Sequence, residues 1–254
     1  MDLGLKDKIA IVTGGSKGIG RAVALALLAE GARVLVCARG QQALEETVAA
    51  ADAGGRIVAA AADLTRPDAI EAVVERCRSQ FGGVDILVNN AGSTRPGEFL
   101  KLSDEAWMED WSLKFFGYVR MAREVIPIME ASGGGVIVNV IGTGALRPAA
   151  GFMIGGAVNA ALNHFTKALA DEGARHHVRV VGVNPGPIMT ERLLRFMPRG
   201  EELERAMRRS TPLGRAGKPE EVADLVAFLA SDRAAFIHGA NVTIDGGANP
   251  GLMG

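Results

Sequence analysis

Tyrosine is almost missing from this chain: Tyr118 is the single example among 254 residues, and all aromatics together make up 5%. Cysteine is nearly as scarce. Cys37 and Cys77 are too few and too far apart for a disulfide framework or a zinc cluster, and they are expected as small buried hydrophobes. Nor is there an excess of charge of either sign. With 28 Lys+Arg against 29 Asp+Glu, the net charge of −1 offers no basic surface for nucleic acid or anionic lipid. No run of about 18 apolar residues occurs, so no membrane span is expected. Residues 1–8 carry charges instead of the apolar core of an export signal, which makes a cytoplasmic location the expectation.

Glycine, by contrast, is abundant: 33 residues, roughly twice the usual share. Short β-branched runs at 9–13, 34–38, 57–61, 86–89, 136–140, 178–183 and 241–244 alternate with helical patterns at 19–30, 41–51, 67–81, 104–131 and 219–230. Near-continuous apolar strands suit a parallel sheet buried on both faces. Strict β/α alternation then predicts an α/β fold, a doubly wound Rossmann-type arrangement with a seven-stranded, largely parallel sheet. With no repeat, linker or low-complexity tract, residues 1–254 read as one domain. Two connections break the alternation, a Gly- and Ala-rich one at 142–156 and a second at 187–214 that mixes apolar residues with arginines. Both leave carboxyl ends of strands, where open α/β sheets bind ligands. The second reads either as a substrate lid or as a surface helix pair.

Between the first strand and the first helix stands Thr13-Gly14-Gly15-Ser16-Lys17-Gly18-Ile19-Gly20. Glycines at 14, 18 and 20 permit a sharp turn and close approach of a pyrophosphate, and the helix N-terminus offers free N–H groups. With the strand–turn–helix context present, a dinucleotide site is the favoured reading.

These residues, together with Asp63-Leu64, Asn89-Asn90-Ala91-Gly92, Asn184-Pro185-Gly186-Pro187-Ile188 with Thr190, and Asp245-Gly246-Gly247, make the chain resemble the short-chain dehydrogenase/reductase family over nearly its whole length. The resemblance implies that Asp63 and Leu64 contact adenine, that Asn90, Ala91 and Gly92 line the adenine-ribose side, and that Pro185, Gly186, Ile188 and Thr190 hold the nicotinamide amide. Charge speaks to the cofactor. The second strand ends Cys37-Ala38-Arg39, with no carboxylate for a ribose 2′-OH, and Lys17 adds a second cation. Two cations and no anion favour a 2′-phosphate, hence NADP(H) over NAD(H), unless Lys17 and Arg39 are plain surface charges.

The catalytic end departs from the family. There a Tyr-x-x-x-Lys helix supplies the proton donor, an upstream Ser holds the substrate oxygen, and an Asn on the preceding helix supports a water relay. Register set by the neighbouring motifs places Gly142 at the serine position, Gly155 at the tyrosine position, Asn159 at the lysine position and Lys114 at the asparagine position. No tyrosine follows Tyr118, so no realignment restores the motif. Lysine and asparagine are interchanged between two helices, which points to Lys114, positioned by Asn159, as a site cation; a solvated surface lysine is the competing reading. Tyr118, one turn beyond Lys114, reads as a displaced acid or as a packed interface residue. Thr143 offers a hydroxyl or a turn cap, and Arg147 a carboxylate ligand or an exposed loop residue. His164, His176, His177 and His238 show no metal-ligand spacing, so no metal is expected. Two functions stay open: an atypical NADP(H)-dependent oxidoreductase acting on a small carbonyl or alcohol substrate, and a non-catalytic nucleotide-binding protein. The resemblance also implies a homodimer or homotetramer formed by the helices at 104–131 and 155–172.

Overall fold

The computed structural model describes residues 1–196 and 200–249. It contains the strands β1 (Ile9–Thr13), β2 (Arg33–Ala38), β3 (Ile57–Ala61), β4 (Ile86–Asn89), β5 (Gly135–Val140), β6 (Val178–Pro185) and β7 (Asn241–Ile244). Its α-helices are α1 (Gly18–Ala29), α2 (Gln41–Ala51), α3 (Pro67–Phe81), α4 (Asp104–Trp111), α5 (Gly117–Ala131), α6 (Met153–Gly173), α7 (Glu191–Phe196), α8 (Glu201–Ser210) and α9 (Pro219–Ala230). The strands form one sheet in the order β3-β2-β1-β4-β5-β6-β7, every pair parallel. This is the doubly wound α/β architecture expected from the alternation.

Period-two alternation within each strand divides the core between two layers. Ala10, Val12, Val34, Val36, Ile86 and Val88 face α1, α2 and α9, where Val23, Leu27, Leu44, Val222 and Val226 close the layer. Their neighbours Ile11, Leu35, Cys37, Leu87 and Ile137 face α3 and α5, against Ile70, Val74, Cys77, Met121 and Val125. Both cysteines are free and buried, as expected, and burial pushes each thiol up to about 12. They are core residues, not nucleophiles.

Several boundaries differ from the sequence reading. β2 begins at Arg33, β5 at Gly135, and β6 runs on to Pro185. The continuous helix expected over 104–131 is interrupted by a π-helical turn at Ser112–Phe116 that joins α4 to α5. One extra residue per turn is a local change in hydrogen bonding that leaves apolar periodicity nearly intact, so the pattern does not reveal it. The 142–156 connection is shorter than it reads, because two single 3-10 turns (Thr143–Ala145 and Ala150–Phe152) lead into α6 at Met153. The 187–214 connection carries α7 and α8; Leu203 and Met207 pack with Leu193 and Ala216 in a small cluster of their own. Residues 197–199, within that connection, lie outside the described residues.

The chain places β2 and β3 on one side of β1, then crosses to set β4 on the other. That reversal creates a crevice between the carboxyl ends of β1 and β4. No helix among the described residues is long and apolar enough to cross a membrane.

Candidate functional site

At the crevice, Thr13 ties the two strand ends together. Its Oγ1 donates to the Val88 carbonyl (3.3 Å) and accepts from the backbone N–H groups of Asn90 and Ala91 (both 2.9 Å). The Asn90 amide in turn donates to the carbonyls of Thr13 (3.0 Å) and Gly14 (3.3 Å). The glycine turn is thereby held against the loop after β4, with no room for side chains. A Cβ at Gly20 would stand 2.3 Å from the Gly14 carbonyl oxygen, and one at Gly14 2.9 Å from the Asn90 amide nitrogen. Gly14 also has φ +66°, the left-handed region that favours glycine. The result is a backbone cradle at the start of α1.

The cradle opens into a cleft of about 610 Å³. Of the residues expected at a cofactor or reaction site, Gly14, Lys17, Gly18, Ile19, Asn90, Ala91, Gly92, Pro185, Gly186, Ile188 and Thr190 border it, as do Lys114, Thr143 and Asn159. Ser16, Arg39, Asp63 and Leu64 do not. Leu64 is buried with the apolar layer facing α3 and α5, and Arg39 is exposed beyond β2. Asp63 caps its own turn, its Oδ1 accepting from the Thr65 N–H (3.0 Å) and hydroxyl (2.9 Å). That pair of bonds, led by the backbone one and aided by Arg39 and Arg66, holds its carboxyl below the ordinary range. Lys17 is exposed and paired with Glu191 of α7 at 3.1 Å.

At the far end of the cleft Lys114 is buried, 6% exposed, which removes the surface-lysine reading. It lies in the π-helical turn, and its stem runs against Gly92, where a Cβ would come within 2.7 Å of Lys114 Cγ. Its Nζ donates to the Asn159 Oδ1 and to the Ile141 carbonyl, both at 2.6 Å. Desolvation, reinforced by the nearby Arg192 guanidinium, lowers its pKa from 10.5 to about 7. At neutral pH such a group both gives and takes a proton readily.

Two glycines shape the surroundings. Gly142 adopts φ +129°, and a Cβ there would approach the Asn159 amide nitrogen to 3.1 Å. At Gly155 the space a side chain needs is filled by the Phe152 ring, whose atoms lie 2.0 to 2.5 Å from a Cβ built there. A side chain at 142 would be strained by the backbone, and one at 155 would have to displace the Phe152 ring. Tyr118 is no acid: 1% exposed, it donates to the Val140 carbonyl at 2.7 Å, and burial drives its pKa upward. It is the packed interface residue of the two readings. Arg147 is exposed and reaches the Ala248 carbonyl at 3.4 Å, outside the cleft.

The histidines also lie elsewhere. His176 contacts Glu130 (3.0 Å) and Glu172 (3.5 Å), and His238 bonds the Val180 N–H and the Ala170 carbonyl. Among the described residues no cluster of three or more His, Cys, Asp or Glu side chains could hold a metal ion. Sequence reasoning passed over Arg192, Thr94 and Phe152. Arg192 reads in the sequence only as one of several arginines in the 187–214 connection.

Known proteins resemble this chain in sequence and fold. A family described as Enoyl-(Acyl carrier protein) reductase matches residues 14–249. A probable short-chain type dehydrogenase/reductase of Bradyrhizobium diazoefficiens is 40% identical, covering 95% of this chain and 87% of its own. The 3-oxoacyl-(acyl-carrier-protein) reductase FabG of Escherichia coli is 36% identical over 251 residues, 96% of this chain and 98% of its own. Among solved structures, the L-sorbose reductase of Gluconobacter frateurii complexed with NADPH and L-sorbose superposes with a TM-score of 0.95. It shares 36% identity and covers 99% of this chain and 100% of its own. The chain belongs to the short-chain dehydrogenase/reductase family of oxidoreductases.

Proposed function

We propose that this protein is an NADP(H)-dependent oxidoreductase for a carbonyl/alcohol pair in which Lys114, positioned by Asn159, is the proton donor. The observation that carries the reading is the buried Lys114 ammonium, clamped by two acceptors at 2.6 Å on the wall of the cleft that begins at the glycine cradle. The cradle supports a dinucleotide, since glycine at 14 and 20, where a Cβ would strike Asn90 and the Gly14 carbonyl, lets the turn close tightly at the N-terminus of α1 and leave its backbone N–H groups for phosphates. Gly14, Ser16, Lys17, Gly18 and Ile19 would hold the phosphates, and Asn90, Ala91 and Gly92 the adenine-side ribose. Asp63 and Leu64 would sit at adenine, and Pro185, Gly186, Ile188 and Thr190 at the amide. Arg39 and Lys17, with no carboxylate at Ala38, support NADP(H) over NAD(H).

A bound nicotinamide would supply or accept the hydride at the carbonyl carbon. The chain's part is the proton. As the carbonyl oxygen gains charge, the Lys114 ammonium gives it a proton and becomes a neutral amine, which regains one from water. Asn159 and the Ile141 carbonyl keep Nζ in place through both states. Relative to the family pattern, Gly142 and Gly155 stand where the serine and tyrosine would be, and the Lys114–Asn159 pair has exchanged places. Thr143, on the same wall, offers a hydroxyl to the substrate oxygen. The segment at 187–214 acts as the substrate lid in this reading. Exposed Met108 and Phe116 on the α4–α5 side support pairing of copies there.

Fluorescence titration with NADPH and NADH, followed by a carbonyl and alcohol panel, tests the reading. NADPH binds more tightly, reduction slows as pH rises through about 7, and alcohol oxidation speeds up over the same range. Lys114→Met lowers turnover by roughly 10²–10⁴-fold while NADPH affinity persists. Tight NADPH binding without turnover across the panel would instead make this a nucleotide-binding protein. NADH binding at least as well as NADPH overturns the cofactor assignment.

A further inference from the structure

Beyond the glycine cradle the cleft is bordered by three cations, Lys114, Arg192 and Arg195. Among the described residues that line it Glu191 is the one acid, and it is paired with Lys17. Arg192 is half-buried and holds only neutral partners. It donates to the Thr94 carbonyl (3.0 Å), the Thr94 hydroxyl (3.2 Å) and, at 3.5 Å, the Gly92 carbonyl. Asp110, the acid whose field reaches it, is already engaged by the Arg95 guanidinium (3.0 Å) and backbone N–H (2.7 Å). No carboxylate among the described residues forms an ion pair with either Lys114 or Arg192, and the two cations repel each other.

A desolvated guanidinium without a counter-charge is costly, and a planar fork that keeps donors free is suited to receive a carboxylate. Phe152, Ile141, Val140 and Leu193 add apolar wall beside these cations. They suit a compact organic body that carries one charged group. An anion placed between Arg192 and Lys114 turns their repulsion into two attractions.

Building on the oxidoreductase reading, we propose that the substrate is a carboxylate-bearing carbonyl or hydroxy compound and that Arg192 binds its carboxylate. Arg195, exposed at the mouth, adds to the attraction of an incoming anion.

The test uses the full chain loaded with NADP⁺, so that no reduction occurs. Phenylpyruvate and levulinate are each titrated calorimetrically against their methyl esters, which keep the carbonyl and remove the charge. The acids bind at least about tenfold more tightly than the esters. Arg192→Gln removes that ratio and Arg192→Lys retains part of it, while NADP⁺ affinity stays the same and both variants remain folded. Equal binding of acid and ester by the unmodified chain overturns the inference. So does an Arg192→Gln protein that weakens acid and ester equally, which would make the residue a mere tie to Thr94. If Arg192→Gln weakens NADP⁺ and leaves the acid/ester ratio intact, the guanidinium belongs to the cofactor and the inference also falls. Preference for the acids with no turnover in the NADPH panel removes the oxidoreductase reading and leaves this one standing; turnover without acid preference does the reverse.

Discussion

Replacing Lys114 with methionine keeps an unbranched stem against Gly92 and removes the charge, and the consequence for stability can be worked from the structure. The folded protein holds this lysine at about 7 instead of 10.5, whereas the unfolded chain keeps the ordinary value. Between those values the unfolded state binds more protons, so this residue makes stability rise with pH, by up to about 1.4 kcal/mol per unit. Below pH 7 both states carry the proton, and the penalty levels off at roughly 5 kcal/mol. Methionine carries no such dependence. It does leave the Asn159 Oδ1 and the Ile141 carbonyl without their donor, a pH-independent cost of about 1–3 kcal/mol. Urea unfolding of both proteins at pH 7 and pH 9 isolates the lysine, because every other titrating group cancels in the difference. The unmodified chain gains about 2–3 kcal/mol on Lys114→Met over that interval. At pH 7 the variant is the more stable of the two. Parallel stability profiles between pH 7 and pH 9 would refute the reasoning, since a lysine with an ordinary pKa contributes no slope there.

Three further outcomes are expected. Glu191→Gln frees Lys17 from an exposed ion pair worth roughly 0.2–1 kcal/mol, so NADPH binds up to about fivefold more tightly at low salt, read by fluorescence titration. Gly155→Tyr is destabilising by about 1–3 kcal/mol because the Phe152 ring already fills the site, and Phe152→Ala in the same chain recovers much of the loss. Purely additive effects in that double-mutant cycle would place the ring elsewhere. Tyr118→Phe costs about 1–2 kcal/mol through the orphaned Val140 carbonyl and leaves the pH dependence of turnover unchanged; a shifted profile would return Tyr118 to the list of acids.

The glycine cradle was readable residue by residue. Gly14 follows a run of five buried strand residues, Gly18 and Gly20 open the first helix, and each carries its meaning in local backbone geometry. The ends of β2 and β3 were readable in part. Asp63 and Arg39 are neighbours, yet the side chain of Leu64 belongs to the core, and only packing reveals which way a residue after a strand turns. The reactive end was readable mainly as absence: a chain with one tyrosine, placed early, cannot carry a later tyrosine motif.

The alternation of strands and helices, the parallel sheet and the glycine turn were determined by the sequence alone, because they depend on apolar periodicity and on conformations open only to glycine. Contacts between distant segments were decided by the tertiary structure. Lys114 and Asn159 lie 45 positions apart, and whether a lysine faces water or a carbonyl 2.6 Å away depends on a π-helical turn, a missing Cβ at Gly92 and the depth of the sheet. The same holds for Arg192, whose charge is plain in the sequence but whose partners, Thr94 and Gly92, come from the far side of the crevice. Local geometry is written in neighbouring residues. A buried charge takes its meaning from what surrounds it, and folding alone assembles those surroundings.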